Sequence, residues 1–404
     1  MTLSEELTWR GFKNQTTFKD LASLDEAPLT FYWGVDPSAD SMTIGNLAAA
    51  MMVRHFINYG HKAVLLVGGA TGLIGDPDGK RQERDLKSRE EVDRNIEAIA
   101  HQYKTIFAGQ SFDIVNNYDW FKGINYLEFL RDVGKHMSMT QLLDREFVQS
   151  RIGEGGAGIS YAEFSYSLIQ GYDFLHLFRE RGVTLQLSGA DQWGNSLSGV
   201  EMIRKLEAKE AHVYTTPLIV NKTTGAKFGK SEAGAVWLDP NKTSIYQFYQ
   251  FWLNLGDDGV VDYLKIFTLL SKDAIEDLAK QVESNPGERA AQKALAYEVT
   301  KLVHGEKAAD MVTSVTEVLF SSADASSMSS EELKLLAAEL PSVKSTEVVE
   351  ALVEAGLSSS RGEARRFVEA GAISVNGQKA TLETDLAAPA LIRRGKNQFA
   401  LKTS

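Results

Sequence analysis

Side chains capable of chemistry gather in four short stretches of this chain. The run Gly68-Gly69-Ala70-Thr71-Gly72-Leu73-Ile74-Gly75-Asp76-Pro77-Asp78-Gly79-Lys80 follows a continuous apolar segment, Ala63–Val67. A glycine-rich turn behind a buried strand lets backbone approach a ligand closely, and it serves equally as an ordinary tight loop. A P-loop needs glycine six residues before its lysine and Ser or Thr after it. Those places hold Ile74 and Arg81, so that reading fails, as does GxGxxG. Tyr166, Gln170 and Asp173 stand at i, i+4 and i+7, one face of a helix otherwise rich in Phe164, Leu168 and Phe174. Such a stripe fits a pocket for an ammonium group or a hydroxyl; a solvated face is the plainer alternative. Gln186 and Gly189-Ala190-Asp191-Gln192-Trp193-Gly194-Asn195 again join a strand end to glycines and polar groups. Lys227-Phe228-Gly229-Lys230-Ser231 sets two lysines around a glycine, which suits an extended polyphosphate, although surface lysine loops are common. The seven histidines form no metal-ligand spacing, and no nucleophile elbow or HExxH is present. The chemistry implied is positioning plus electrostatics, without a covalent enzyme intermediate.

Composition narrows the setting. The 404 residues are enough for two or three domains, and 43% hydrophobic against 24% charged residues allows ample cores. With no cysteine, disulfides, thiolate zinc sites, iron–sulfur clusters and cysteine nucleophiles are excluded. No apolar run approaches the ~20 residues that span a bilayer, and Met1 to Lys13 lacks a signal-peptide shape. A cytoplasmic protein without membrane contact is expected. The net charge of −11 argues against indiscriminate polyanion binding. From Val343 onward, however, nine Lys/Arg face seven Asp/Glu, so an acidic body carries a mildly basic tail.

The elements that must position these residues alternate in type over the first ~215 positions. Leu29–Val35, Ala63–Val67, Phe112–Val115 and Thr184–Leu187 read as strands. Leu47–Tyr59 reads as a helix stopped by Gly60; two longer helices open at Ser88/Glu91 and Ser160/Glu163 capping boxes and end near Gly109 and Gly182. This rhythm predicts an α/β fold with a Rossmann-like, doubly wound, mostly parallel sheet, whose ligands bind beyond the carboxyl ends of the strands. From Ser244 to Phe320 the signals are helical, including Leu264–Leu270, Ile275–Val282 and Ala290–Val303. Serine-rich Ser321–Ser330 reads as a linker or loop. A small α+β module follows, with helices at Val348–Leu357 and after Ser360, then Ile373–Val375 and an Asn376-Gly377 hairpin turn.

Taken together, these segments resemble the bacterial-type tyrosyl-tRNA synthetases, class I aminoacyl-tRNA synthetases. The resemblance runs over nearly the whole chain. Carrying it are Tyr32-Trp33-Gly34-Val35-Asp36-Pro37-Ser38-Ala39-Asp40-Ser41, Val67–Gly79, Asn116-Asn117-Tyr118-Asp119-Trp120, Phe129–His136, Phe164–Asp173, Asp191–Asn195 and Lys227–Ser231, with a tail like the family's S4-type RNA-binding module. The resemblance implies tyrosine, ATP with Mg²⁺, and tRNA(Tyr) as substrates and partners, no protein-ligated metal, and a homodimer with Asp132–Met139 near its interface. It implies a catalytic domain over 1–217, the lysine loop and an anticodon-side helical domain over 218–320, a linker over 321–342 and the S4-like module over 343–404. Residue by residue, Tyr32 and Asp173 match the pair that contacts the tyrosine phenol. Asp76, Tyr166 and Gln170 match the ammonium site, and Asn117 and Gln192 lie in the same pocket wall. Asp36, Gly45, Asn46, Gly189, Asp191 and Gln192, with Phe228 and Gly229 of the loop, match the ATP site. Lys227, Lys230 and Ser231 match the loop that stabilises charge on the leaving pyrophosphate, with Lys80 and Arg84 as weaker candidates and Ser38 nearby. Arg361, Arg365, Arg366, Arg393, Arg394 and Lys396 match a surface for tRNA phosphates, and their plainer reading is solvated surface.

One departure stands out. Thr43-Ile44-Gly45-Asn46 occupies the place of the family's His-Ile-Gly-His or a variant ending in Asn. Threonine replaces a histidine that helps bind the phosphates in the transition state; its hydroxyl can donate, but it is shorter and never charged. Losing one such donor can lower a rate by about 10²–10³-fold. Three readings stay open: a slow enzyme, a compensated one and a deliberately changed one. A smaller departure is Ser188, where glycine is usual. Alternatives are a catalytically weakened synthetase-like RNA-binding protein and a tryptophan-specific relative, which would not need Tyr32 and Asp173 for a phenol.

Overall fold

The computed structural model describes residues 1–76, 86–143, 146–153, 155–156, 158–223, 225, 228–231, 234–320 and 324–403. The chain opens with α1 (Leu3–Arg10), β1 (Thr30–Val35), α2 (Ile44–Asn58), β2 (Lys62–Val67), α3 (Thr71–Ile74), α4 (Arg89–Ile106), β3 (Phe112–Asn116) and α5 (Tyr118–Phe121). Three short helices, α6 (Tyr126–Asp132), α7 (Met139–Leu143) and α8 (Glu146–Ile152), precede α9 (Tyr161–Arg181), β4 (Leu185–Gly189), α10 (Trp193–Glu207) and β5 (His212–Thr216). The five strands form one parallel sheet in the order β3-β2-β1-β4-β5. Phe31–Trp33, Ala63–Val67 and Leu185–Ser188 are buried as unbroken runs, the mark of a sheet covered on both faces. The chain moves outward from β1 through β2 to β3, then restarts on the other side with β4. The crevice beyond β1 and β4 is therefore the switch point at which such sheets bind ligands.

Local chemistry sets the helices that frame this crevice. The Ser88 and Ser160 hydroxyls accept the Glu91 and Glu163 amides at 3.1 and 3.2 Å. The glutamates reach elsewhere: Glu91 pairs with Lys87, and Glu163 forms a buried ion pair with Arg151 at 2.7 Å. α9 and α10 approach closely because two glycines meet the opposite helix. A Cβ on Gly171 would lie 2.7 Å from Met202, and one on Gly199 would lie 2.6 Å from Phe174.

Helices dominate the next stretch, as expected: α11 (Ile245–Leu253), α12 (Asp257–Phe267), α13 (Lys272–Ser284), α14 (Ala290–His304) and α15 (Glu306–Phe320). The apolar run Leu264–Leu270 is helical only to Phe267. Beyond it the Arg10 guanidinium gathers the carbonyls of Lys265, Thr268 and Leu270 at 2.8, 3.0 and 2.8 Å, satisfying oxygens that a longer helix would have paired internally.

The chain separates into two compact units, Met1–Thr243 with Phe251–Leu295, and Ser244–Gln250 with Ala296–Ser404. The cuts differ from the boundaries expected at 217, 320 and 342. In the second unit α16 (Ser330–Glu339) has a full capping box from Ser329 and Glu332. After it come β8 (Ser342–Val343), α17 (Val348–Glu354), α18 (Arg361–Glu369), β9 (Ile373–Val375), β10 (Gln378–Lys379), β11 (Ala390–Arg394) and β12 (Gln398–Lys402), with sheet order β10-β9-β11-β12-β8. Asn376 and Gly377 both take positive φ at the β9–β10 turn, as an Asn-Gly hairpin requires. One face of the sheet packs Ile392 and Ala400 with Leu352, Ala364 and Val368. The other packs Leu391, Phe399 and Leu401 with Val315, Leu319 and Leu336. Ala325 and Met328, inside the expected serine-rich linker, are buried in that second cluster. The described part of the linker is thus a packed turn, because the sheet has two apolar faces and needs a cover on each. No described helix is long and apolar enough to cross a membrane.

Candidate active site

The strand register brings the first pair together: Tyr32 of β1 lies beside Gln186 of β4 at the switch point. Tyr32 is 2% exposed and Gln186 3%. Among the described residues, the Tyr32 hydroxyl, Gln186 Oε1 and Gln170 Oε1 are buried without a hydrogen-bond partner. Leaving such groups unpaired is unfavourable, and a polar ligand that reached them would complete their bonding. Asp173, on the same α9 face as Tyr166 and Gln170, is buried nearby. Its Oδ2 accepts from Asn117 Nδ2 at 3.0 Å and its Oδ1 from Trp120 Nε1 at 2.9 Å. Burial nevertheless dominates and pushes its carboxyl up to about 8, against the pull of those two donors. Burial, then the Asp173 charge, also raises the Tyr32 phenol well above its ordinary value.

A second net closes the neighbouring wall. Asp36, at the end of β1, accepts from Tyr166 at 2.7 Å and from Thr71 at 2.6 Å. Asn117 is fully buried; it accepts the Ala70 amide at 2.7 Å and donates to Thr71 at 3.1 Å. The glycine run permits this. A Cβ on Gly68 would sit 2.1 Å from Asp36 Oδ1, and one on Gly69 would sit 2.3 Å from Asn116 Oδ1. Asp76 accepts from Gln192 at 2.6 Å, Gln192 from Asn195 at 3.2 Å, and Asn195 from Ser167 at 2.6 Å. Ser188 is buried, with its hydroxyl 3.2 Å from that of Ser196. At the tip of β4, Gly189 lies so near Asp191 that a Cβ would be 2.5 Å from its carboxylate. Trp120 and Thr71 are site residues that pattern reasoning missed as such. Each lies inside a segment that carries the resemblance, but neither belongs to a periodic stripe.

Thr43, Gly45 and Asn46, which are expected to meet ATP, stand at the N-terminus of α2, where backbone N–H groups favour anions. Thr43 is its N-cap residue, Gly45 is exposed and Asn46 is half-buried. Residues 42–44 pair antiparallel with 236–238: Thr43 bridges Trp237, the Ile44 amide donates to Val236 O at 3.1 Å, and the Leu238 amide donates to Met42 O at 2.9 Å. Gly229 takes φ +90° with Ile44 Cγ1 2.8 Å from where a Cβ would be. The Phe228 ring packs into an aromatic cluster with Phe251, Trp252, Tyr263 and Phe267. It anchors the loop, so only its backbone is available to the ATP contact expected of it. Lys230 and Ser231 form β6, paired with β7 (Gly234–Ala235). Ser38 is exposed in the turn after β1. Lys80, Arg84 and Lys227 lie outside the described residues.

The arginines expected to meet RNA belong to the second unit. Arg365, Arg366 and Lys396 are exposed, while Arg361 pairs with Glu350 at 2.7 Å. Arg394 lies 3.9 Å over the Phe367 ring and donates to Leu357 O. Arg393 donates to the carbonyls of Gly395 and Lys396 at 2.9 and 3.2 Å, so these two also hold their own module together. Among the described residues no acidic or histidine cluster could hold a metal ion.

Polar groups thus gather beyond the carboxyl ends of β1 and β4, where parallel α/β sheets bind ligands. A family profile described as "tRNA synthetases class I (W and Y)" matches residues 24–321, and a "Tyrosine--tRNA ligase SYY-like C-terminal domain" matches 332–402. The chain is 45% identical to tyrosine–tRNA ligase 2 of Bacillus cereus and to the tyrosine–tRNA ligase of Geobacillus kaustophilus, over 99% of each chain. A C-terminally truncated mitochondrial tyrosyl-tRNA synthetase of Aspergillus nidulans superposes with a TM-score of 0.72 at 30% identity, covering 79% of this chain and 94% of that one. The chain belongs to the tyrosine–tRNA ligase family of class I aminoacyl-tRNA synthetases. A synthetase-like protein that only binds RNA finds no support among these relatives.

Proposed function

We propose that this chain is a tyrosine–tRNA ligase, which activates L-tyrosine with ATP and passes the tyrosyl group to the 3′ end of tRNA(Tyr). In the first step the tyrosine carboxylate attacks the α-phosphorus, forming tyrosyl-adenylate as the bond to pyrophosphate breaks. In the second, a hydroxyl of the terminal ribose attacks the tyrosyl carbonyl and AMP leaves. Neither step needs a nucleophile from the protein. Mg²⁺ enters with the nucleotide as part of that substrate.

The observation that carries the reading is the set of unpartnered buried oxygens on Tyr32, Gln170 and Gln186 beside the buried Asp173. In this reading Tyr32 and Asp173 receive the phenol. Asp76, Tyr166 and Gln170 receive the ammonium group, with Asn117 and Gln192 as wall. A site that bonds a hydroxyl leaves polar groups stranded when phenylalanine enters; tyrosine-activating enzymes are the standard example of this effect, with discrimination of about 10⁵-fold. Asp36, Gly45, Asn46, Gly189 and Asp191 border the ATP. Lys227, Lys230 and Ser231, with Lys80, Arg84 and Ser38 as lesser contributors, answer the charge that grows on pyrophosphate. Arg361, Arg365, Arg366, Arg393, Arg394 and Lys396 offer tRNA phosphates a basic surface. The protein works as a cytoplasmic homodimer, with 1–217 as the catalytic part, 218–320 on the anticodon side, 321–342 as a connection and 343–404 as the RNA-binding module.

Tyrosine-dependent ATP–pyrophosphate exchange, with phenylalanine and tryptophan as controls, tests the proposal. Exchange with tyrosine alone supports it. Exchange driven better by tryptophan, or no exchange by a folded protein that binds tRNA, overturns it.

A further inference from the structure

The substitution of threonine for histidine at the head of α2 raises the question of what Thr43 does. Two bonds answer it. The Thr43 backbone N–H donates to Asn46 Oδ1 at 3.0 Å, and the Thr43 hydroxyl donates to the same oxygen at 3.1 Å. A backbone N–H can only donate, so the atom facing it is the carboxamide oxygen. That fixes which way the amide of Asn46 is turned. Its Nδ2, with two donor hydrogens, is thereby held on the opposite edge of the half-buried carboxamide.

The Thr43 hydroxyl has one hydrogen, and that hydrogen is engaged. A phosphate oxygen could take it only by breaking the bond to Asn46. The backbone allows Thr43 little movement toward a ligand, because it is bridged to Trp237 and flanked by Ile44–Val236 and Leu238–Met42 bonds. We propose that Thr43 is a positioning residue for Asn46: its hydroxyl adds a second bond to the one from its backbone N–H and so tightens the hold on the carboxamide, and Asn46 Nδ2 presents its hydrogens to the oxygens of ATP. The donor that touches the nucleotide is then Asn46. This inference rests on the ligase reading, and it replaces the expectation that Thr43 substitutes directly for a phosphate-binding histidine.

A double-mutant cycle separates the two roles. Exchange kinetics are measured for the parent, Thr43→Val, Thr43→Ser, Asn46→Ala and the Thr43→Val/Asn46→Ala pair, with tyrosine binding and thermal melting followed alongside. One hydrogen bond corresponds to roughly a 3–10-fold effect. Thr43→Val is expected to lower kcat/KM for ATP by about that factor in the parent and by less than ~2-fold in the Asn46→Ala background. Thr43→Ser, which keeps the hydroxyl, restores the parent value, and the KM for tyrosine stays unchanged throughout. An equal loss in both backgrounds overturns the proposal and makes Thr43 a direct donor. A loss shared by tyrosine KM and melting temperature overturns it in favour of a mere helix cap. No exchange in the parent overturns the ligase reading and this inference with it, an outcome distinct from the other two.

Discussion

Asp173 holds its proton far longer than an exposed aspartate does, because burial outweighs the donors Asn117 and Trp120. Its folded value of about 8 stands above the ordinary 3.8, so between those values the folded chain binds a proton that the unfolded chain has released. The stability this group contributes is complete below about pH 4 and is lost as pH rises through about 8. Asp173→Asn is expected to gain on the parent by at least about 1 kcal/mol across that window. Melting both proteins from pH 4 to 8 checks it, and a constant difference counts against it. Tyr32→Phe acts on both states of the pocket. Removing an unpaired buried hydroxyl leaves the ligand-free protein as stable as the parent or more so, while exchange with tyrosine drops about 3–10-fold in kcat/KM. A lower melting temperature for the variant would mean that the hydroxyl is already satisfied without substrate. These side chains were only partly legible from sequence. Tyr166, Gln170 and Asp173 announce themselves by helical spacing. Trp120 and Thr71 do not, because bonds from short helices to residues far along the chain leave no periodic trace.

The segment after β5 shows how an element can be fixed at its middle and carry chemistry beside that anchor. Phe228 is held in an aromatic cluster, and Gly229 takes a left-handed conformation against Ile44. The backbone entering β6 at Lys230 is thereby held close to the head of α2. Gly229→Ala meets both the φ penalty and Ile44. It is expected to lower the kcat of exchange at least ~10-fold while leaving the KM for tyrosine within ~2-fold. Equal damage to both constants would show that the loop also shapes the amino-acid pocket. Phe228→Ala removes a fully packed ring and is expected to destabilise the first unit by about 3 kcal/mol, read by denaturant unfolding. The sequence shows two lysines around a glycine and invites a polyphosphate reading. It does not show that the phenylalanine between them is structural, because its partners lie 23–39 residues further on.

At the scale of the molecule, every described residue assigned to tyrosine or ATP falls within the first compact unit, and the arginines assigned to RNA fall within the second. Deleting 343–404 is expected to preserve tyrosine-dependent exchange and abolish charging of tRNA. The same deletion bares Val315, Leu319 and Leu336, which Leu391, Phe399 and Leu401 cover in the whole chain. The truncated protein should therefore bind a hydrophobic dye and show a separate, lower melting step; a clean single melt at the parent temperature would contradict that packing. The parallel sheet and the helical middle were legible because repeated apolar periods of two kinds alternate along the chain. The packed turn at Ala325 and Met328 was not, because serine content signals a loop and says nothing of a sheet face formed some sixty residues later.

The strand pair that joins 42–44 to 236–238 also bears on how the protein is made. The five-stranded sheet is complete once Thr216 has been synthesised. A chain extended only that far has all five strands but leaves the head of α2 without its partner, since the residue that bonds Met42 arrives with Leu238. Closure of the site joins residues almost two hundred positions apart, a late event in any folding order that favours near neighbours. A nascent chain stalled between those two points should bind tyrosine before it can activate it.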